Sequence, residues 1–309
     1  MKNKKFKIIG NLLVVAAILL LVKKLCNYDI DYTLLITRKN MIIVTLMTLF
    51  YGVNVFLCAF PWFNYVKIFE GMKLGFFEVA SIYTKANLLK YIPGNVLQYV
   101  GRNELAIRSN IAHTKVAFAT GCDIASNLGA VFILVLIFSR DEIVNIIKSY
   151  DIKLMIAVIF LIIIVLIALF FVFFKKKNII TEDKLKAFFI SSILNINFYI
   201  AINLFSSVLF IIILKEIAQE EVYFYGIVVG AFLLSWIVGF IIPGAPGGIG
   251  IREAMITFLL AGVIPEESIV VSILTYRLIT TIGDLIGFFI AAMLQRANEK
   301  SFFRKEENV

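Results

Sequence analysis

Two arginines stand beside glycines that interrupt apolar runs: Arg102 follows Gly101, and Arg252 comes two places after Gly250. At the start of a helix, a guanidinium adds to the unpaired N–H groups and partial positive charge of the helix N-terminus. That combination suits a phosphate or a carboxylate. The glycines would let a ligand approach the backbone closely. Each arginine also has a glutamate close behind it, Glu104 and Glu253. The competing reading is therefore internal pairing, Arg102 with Glu104 and Arg252 with Glu253, which would pin the turns instead of binding a ligand.

Two aspartates, Asp123 and Asp284, lie inside apolar runs. An ionised side chain at the centre of a membrane helix costs at least ~2.5–3.5 kcal/mol, so such a residue faces a cavity, finds a partner or lines an ion path. Arg277 precedes Asp284 by seven residues, which puts the two on one helix face two turns apart. Arg277 could equally snorkel from a helix end. Ser192, Asn195 and Tyr199 form a polar stripe along one helix face, the pattern of interhelical hydrogen bonding.

The elements that must hold these groups are set by composition. Of the 309 residues, 61% are hydrophobic and 17% charged, against roughly 45–50% and 25% in soluble domains. The fold class to expect is an all-α polytopic membrane protein forming a single transmembrane domain with no soluble domain. The net charge of +9 is not read as a nucleic-acid signal, because the basic residues flank apolar runs as the positive-inside rule requires. Cys26, Cys58 and Cys122 are odd in number and far apart, so they outline no disulfide framework. His113 is the only histidine, and no metal-ligand spacing accompanies it. No phosphate loop, zinc-protease motif or Ser/His/Asp arrangement is present. No cofactor and no metal are expected.

Full spans are expected near 8–25, 41–60, 115–138, 154–174, 187–214 and 268–294. The first could be a cleaved signal peptide, but Lys23-Lys24 follows it with no small-residue cleavage site, which favours an uncleaved helix. Two further regions, 74–110 and 223–262, are broken. The first contains Pro93-Gly94 and Gly101-Arg102. The second carries two prolines and four glycines within Ile242–Gly250, including Pro243, Gly244, Gly247, Gly248 and Gly250. Such a stretch cannot continue a helix. At membrane depth its open backbone survives only under cover of protein or in a water-filled cavity.

The basic loop at Lys175–Lys186, the basic C-terminal tail and the lysines of the N-terminus can share one side, taken as cytoplasmic, if each broken region is a re-entrant hairpin. The hairpins then enter from opposite faces. Each combines Pro-Gly, a later Gly-Arg-Glu grouping and a long helix with a Thr-x-x-Asp acid, Thr120–Asp123 and Thr281–Asp284. This is the pattern of an inverted-topology repeat, with one copy at about 41–138 and the other at about 187–294.

The segments Tyr91-Ile92-Pro93-Gly94…Gly101-Arg102 and Pro243-Gly244-Ala245-Pro246-Gly247-Gly248-Ile249-Gly250-Ile251-Arg252-Glu253-Ala254 resemble the two hallmark segments of the lysylphosphatidylglycerol synthase transmembrane-region family, also described as flippase-like. The likeness extends over about residues 8–295, and its second segment is the more specific. It implies a bacterial or archaeal cytoplasmic-membrane protein that moves a phospholipid or lipid-linked sugar between leaflets. Full-length synthases add a cytosolic transferase domain that this sequence lacks, so aminoacyl transfer is not expected. Where that family often has a Glu-Arg pair after the first hairpin, this chain has Gly121-Cys122-Asp123, which sets the charge of its first site apart.

The leading expectation is a translocase for an anionic phospholipid or a polyprenyl-phosphate-linked sugar, serving the cell envelope. Arg102 and Arg252 would hold the phosphate, while Glu104, Glu253, Asp123 and Asp284 tune charge or carry a coupling cation. Two alternatives stay open: a membrane-embedded glycosyl or phosphoryl transferase, and a non-catalytic partner of envelope glycosyltransferases.

Overall fold

The computed structural model describes residues 37–71, 74–91, 96–107, 109, 111–138, 182–241, 248 and 250–306. The expected spans at 8–25 and 154–174 lie outside these residues, as do Pro93, Gly94, Pro243, Gly244 and Gly247. Every element among the described residues is helical. In chain order the helices are α1 (Arg38–Leu57), α2 (Ala59–Glu70), α3 (Phe76–Asn87), a 3-10 turn (Leu88–Tyr91), α4 (Leu97–Ile107), α5 (His113–Phe138), α6 (Glu182–Glu216), α7 (Tyr225–Ile241), α8 (Ile251–Leu260) and α9 (Glu266–Glu306).

Four helical stretches are long and apolar enough to cross a membrane: 38–70, made of α1 and α2 together, then 113–138, 184–216 and 266–299. They cover four of the expected full spans. The break between α1 and α2 falls at Cys58. Pro61 accounts for it, since it has no N–H to offer the carbonyl of Leu57 four residues back.

The two broken regions fold as pairs of shorter helices. α3 packs on α4 across the segment containing Pro93, and α7 packs on α8 across the segment containing Pro243 and Pro246. The chain tightens into the 3-10 turn that ends at Tyr91, shortly before Pro93 in sequence. α4 and α8 have 11 and 10 residues, or about 15–17 Å at 1.5 Å per residue. That is half of a ~30 Å hydrocarbon core.

Burial is inverted relative to a soluble protein. Large apolar side chains face outward along α1, α6 and α9, with Phe50 62%, Ile193 62% and Met293 69% exposed. Asp284 is 0% and Arg102 and Asp123 are each 3% exposed. Outward apolar faces of this extent need lipid or protein against them.

The interior divides into two main apolar clusters. One gathers Trp62, Tyr65, Phe69, Val79, Tyr83 and Phe118 around α2, α3 and the first half of α5. The other gathers Val131, Leu134, Phe210, Phe232, Leu233 and Leu260 around the second half of α5 with α6, α7 and α8. α5 thus runs from one cluster into the other, and Asp123 and Asn127 fall between them. The stripe on α6 bonds between helices as its spacing predicts: Asn195 donates to the carbonyl of Pro61 (3.1 Å) and accepts from Asn64 (2.9 Å), and Ser192 accepts from Tyr65 (3.1 Å).

Among the described elements, α9 packs more extensively on α1 than any other two pack on each other. The contact is between backbones. A Cβ at Gly287 would stand 2.9 Å from the carbonyl oxygen of Gly52, and one at Gly283 would stand 3.3 Å from the Gly52 nitrogen and the Thr48 oxygen. The Gly283-x-x-x-Gly287 spacing places both glycines on one face of α9, the small-residue interface that lets membrane helices approach closely.

Candidate functional site

Between the two clusters lies a cavity of about 190 Å³, walled by α1, α3–α7, α8 and α9. Four cationic side chains line it: Lys90, Arg102, Arg252 and Arg277. They come from both broken regions and from the long helix α9. Three carboxylates complete the charged set, and each is held by donors on both of its oxygens.

Asp123 accepts from Arg102 at 2.6 Å on one oxygen and from the Tyr199 hydroxyl at 2.5 Å on the other. The Arg102 guanidinium is boxed by aromatic faces, with its central carbon 3.9 Å from the Tyr83 ring centroid, 5.3 Å from Tyr99 and 5.7 Å from Trp62. A π-face attracts a cation most strongly where water is excluded. Arg102 is therefore locked in place, and Gly101 helps by letting α4 approach Leu89, where a Cβ would meet Leu89 Cδ1 at 2.3 Å.

Asp284 is captured by the end of α3 and the turn after it. Asn87 donates to one oxygen at 2.8 Å, while the Lys90 ammonium at 2.6 Å and the Tyr91 hydroxyl share the other. Glu253 accepts from Arg277 Nε at 3.0 Å and from the Gly250 N–H at 2.6 Å, the latter closing the first turn of α8. Gly250 itself sits at φ 91°, a conformation that glycine adopts without strain.

Arg252 differs from the other three. It has no ion-pair partner among the described residues, while its Nε, like that of Arg102, is buried without a hydrogen bond. Its stem lies in a slot of bare backbone: a Cβ on Gly239 would meet its Cγ at 2.5 Å, and one on Gly248 would meet its Nε at 2.9 Å. Trp236 covers the guanidinium from 5.7 Å and stacks in turn on Phe240. The glycines around Pro243 thus do more than break a helix, because Gly248 makes room for this side chain.

Both pairings expected within the sequence-local Arg/Glu groups give way to others. Arg102 turns to Asp123, and Glu104 is exposed on the far face of α4. Glu253 turns to Arg277 instead of its neighbour Arg252. On a helix, adjacent residues point about 100° apart, so a contact across helices wins. Arg277 and Asp284 share a helix yet have separate partners. Of the expected site residues, Arg102, Asp123, Arg252 and Arg277 line the cavity, with Glu253 and Asp284 directly behind it.

Sequence reasoning did not single out Lys90, Asn87 or Tyr199 for the site. Lys90 carried a signal, a lysine embedded in an otherwise apolar stretch. Much of the rest of the lining is uncharged polar and aromatic, including Asn54, Gln98, Asn127, Asn203 and Ser206, with Val55, Ile124 and Ile202 as its aliphatic part. No family model, no curated protein and no solved structure matches the chain.

Proposed function

We propose that this chain binds the anionic headgroup of a membrane lipid in the central cavity and moves it between leaflets. The lipid would be an anionic phospholipid or a polyprenyl-phosphate-linked sugar used in building the cell envelope. The single observation behind this reading is Arg252, a guanidinium without an ion-pair partner among the described residues, facing a cavity lined by three further cations. Burying a charge without a counterion is costly, so the arrangement calls for an anion beyond those that the described residues supply. The resemblance of the two Pro-Gly segments to the flippase-like family points the same way, and so does the outward apolar surface, which keeps the protein in lipid.

In this reading the two helix pairs are re-entrant hairpins of an inverted repeat, set among about six full spans, with both termini cytoplasmic in a bacterial or archaeal inner membrane. Rocking of one repeat against the other would open the cavity to each side in turn. The test is transbilayer movement of labelled phospholipids and lipid-linked sugars in proteoliposomes. Wild-type protein is expected to accelerate it and the Arg102→Ala, Arg252→Ala double variant to abolish it. Arg252→Ala alone is informative because its removal leaves no carboxylate without a partner. Undiminished movement in the double variant overturns the site assignment.

A further inference from the structure

The charge balance of the cavity specifies its ligand more narrowly than a preference for anions. This step rests on the reading of the cavity as a headgroup site. Asp123, Asp284 and Glu253 each receive donors on both carboxylate oxygens, as described above, and each is paired with one cation, Arg102, Lys90 and Arg277 in turn. Against them stand Lys90, Arg102, Arg277 and Arg252, so the cluster carries four positive and three negative charges. The sequence between the two helices of each pair, 92–95 and 242–247 with 249, contains no ionisable side chain. Among the described residues the balance is one positive charge, and it resides on Arg252.

One negative charge on the ligand neutralises the site. A second would be buried without a counter-charge, at the cost that any unpaired interior ion incurs. The remaining polar lining is made of amides and hydroxyls, Asn54, Gln98, Asn127, Asn203 and Ser206. Asn203 donates to Asn127 Oδ1 at 3.0 Å and to the Tyr199 carbonyl at 2.7 Å, which leaves its own oxygen as an acceptor and the Asn127 amide nitrogen as a donor, and with Asn54 and Gln98 this set matches hydroxyl groups that donate and accept in turn. An ammonium would find the three carboxylates already saturated and four cations repelling it. We therefore propose that the site takes a phosphodiester monoanion bearing hydroxyl groups, a glycerol or sugar headgroup, and selects against amino headgroups, phosphate monoesters and pyrophosphates.

The experiment uses full-length protein with binding read from the ligand-dependent change in intrinsic tryptophan fluorescence, Trp236 being at the cavity. The soluble probes are glycerophosphoglycerol, glycerophosphoethanolamine and glycerol 3-phosphate at pH 8, where the monoester, with its second pKa about 6, is a dianion. The lipid probes are the corresponding diacyl forms in nanodiscs: phosphatidylglycerol, phosphatidylethanolamine and phosphatidic acid. The expected result is that the hydroxylated diester binds at least about tenfold tighter than the other two. Binding by both the soluble and the lipid diester identifies the headgroup as sufficient; binding by the lipid form alone assigns the source to the membrane; either supports the proposal.

Gln98→Glu, which brings the balance to zero, is expected to weaken the diester about tenfold with Arg252 still present, and Arg252→Lys to retain the preference. Tightest binding by the dianion, or equal binding by the ethanolamine diester, overturns the monoanion proposal while leaving the anion site standing. No binding of any anionic probe, free or lipid, overturns both.

Discussion

Lys90, in the 3-10 turn that follows α3, meets Asp284, in the middle of the last helix, at 2.6 Å. This contact ties the turn before Pro93 to a helix that is itself fixed against α1, so the first broken region is anchored from behind the cavity. Asp284→Asn replaces a carboxylate that satisfies three donors with a group that must offer a donor of its own. It is expected to lower stability by about 1–3 kcal/mol, read from unfolding in detergent, with Lys90 and Tyr91 the groups left short. An unchanged unfolding transition would show that the anchor carries no energy.

Among the described residues the pair Arg102–Asp123 is deeply enclosed on both sides, each side chain being 4% exposed. Removing one member of a buried pair leaves an uncompensated charge, about 3–5 kcal/mol, whereas replacing both by apolar residues is often close to neutral. Asp123→Leu is therefore expected to destabilise far more than the double variant Arg102→Met, Asp123→Leu. Equal loss in both, measured by the same unfolding transition, would assign the effect to packing and not to charge.

The seat of Arg252 offers a test that leaves the arginine in place. Gly239→Ala drives a methyl to 2.5 Å from Arg252 Cγ and so displaces the guanidinium. Anion binding is expected to fall about as far as in Arg252→Gln. Normal affinity in Gly239→Ala would mean that the slot does not aim the side chain.

Gly287→Ala is expected to cost about 1–3 kcal/mol, since its new methyl would lie 2.9 Å from the Gly52 carbonyl oxygen and overpack the interface. Gly129→Ala, where a Cβ meets nothing within 4 Å, is the control and is expected to be neutral or slightly stabilising. Comparable losses in both would remove the special status of the α1–α9 contact.

The membrane character, the long helices and the positions of the two breaks were legible because each is a local property, a run of apolar residues or a proline. Asp123 and Asp284 were legible because charge in an apolar run demands an explanation. Partner choice was not. Glu253 lies next to Arg252 in sequence, yet its carboxylate reaches Arg277 on another helix. Tyr199 looked like packing material on α6 and also completes the cage of Asp123. The Gly283-x-x-x-Gly287 spacing was visible throughout, but only the facing glycine at position 52 gives it meaning.

That glycine face also sets a clock. Gly283 follows Gly52 by 231 residues, which take roughly 10–50 s to synthesise at about 5–20 residues per second. Throughout that interval α1 has no permanent neighbour for its bare backbone, and the wall of the cavity that Arg277 belongs to does not exist. Maturation is thus completed by the arrival of α9, and a chain halted before it would hold α1 in the bilayer as an unmatched surface open to chaperones and membrane proteases.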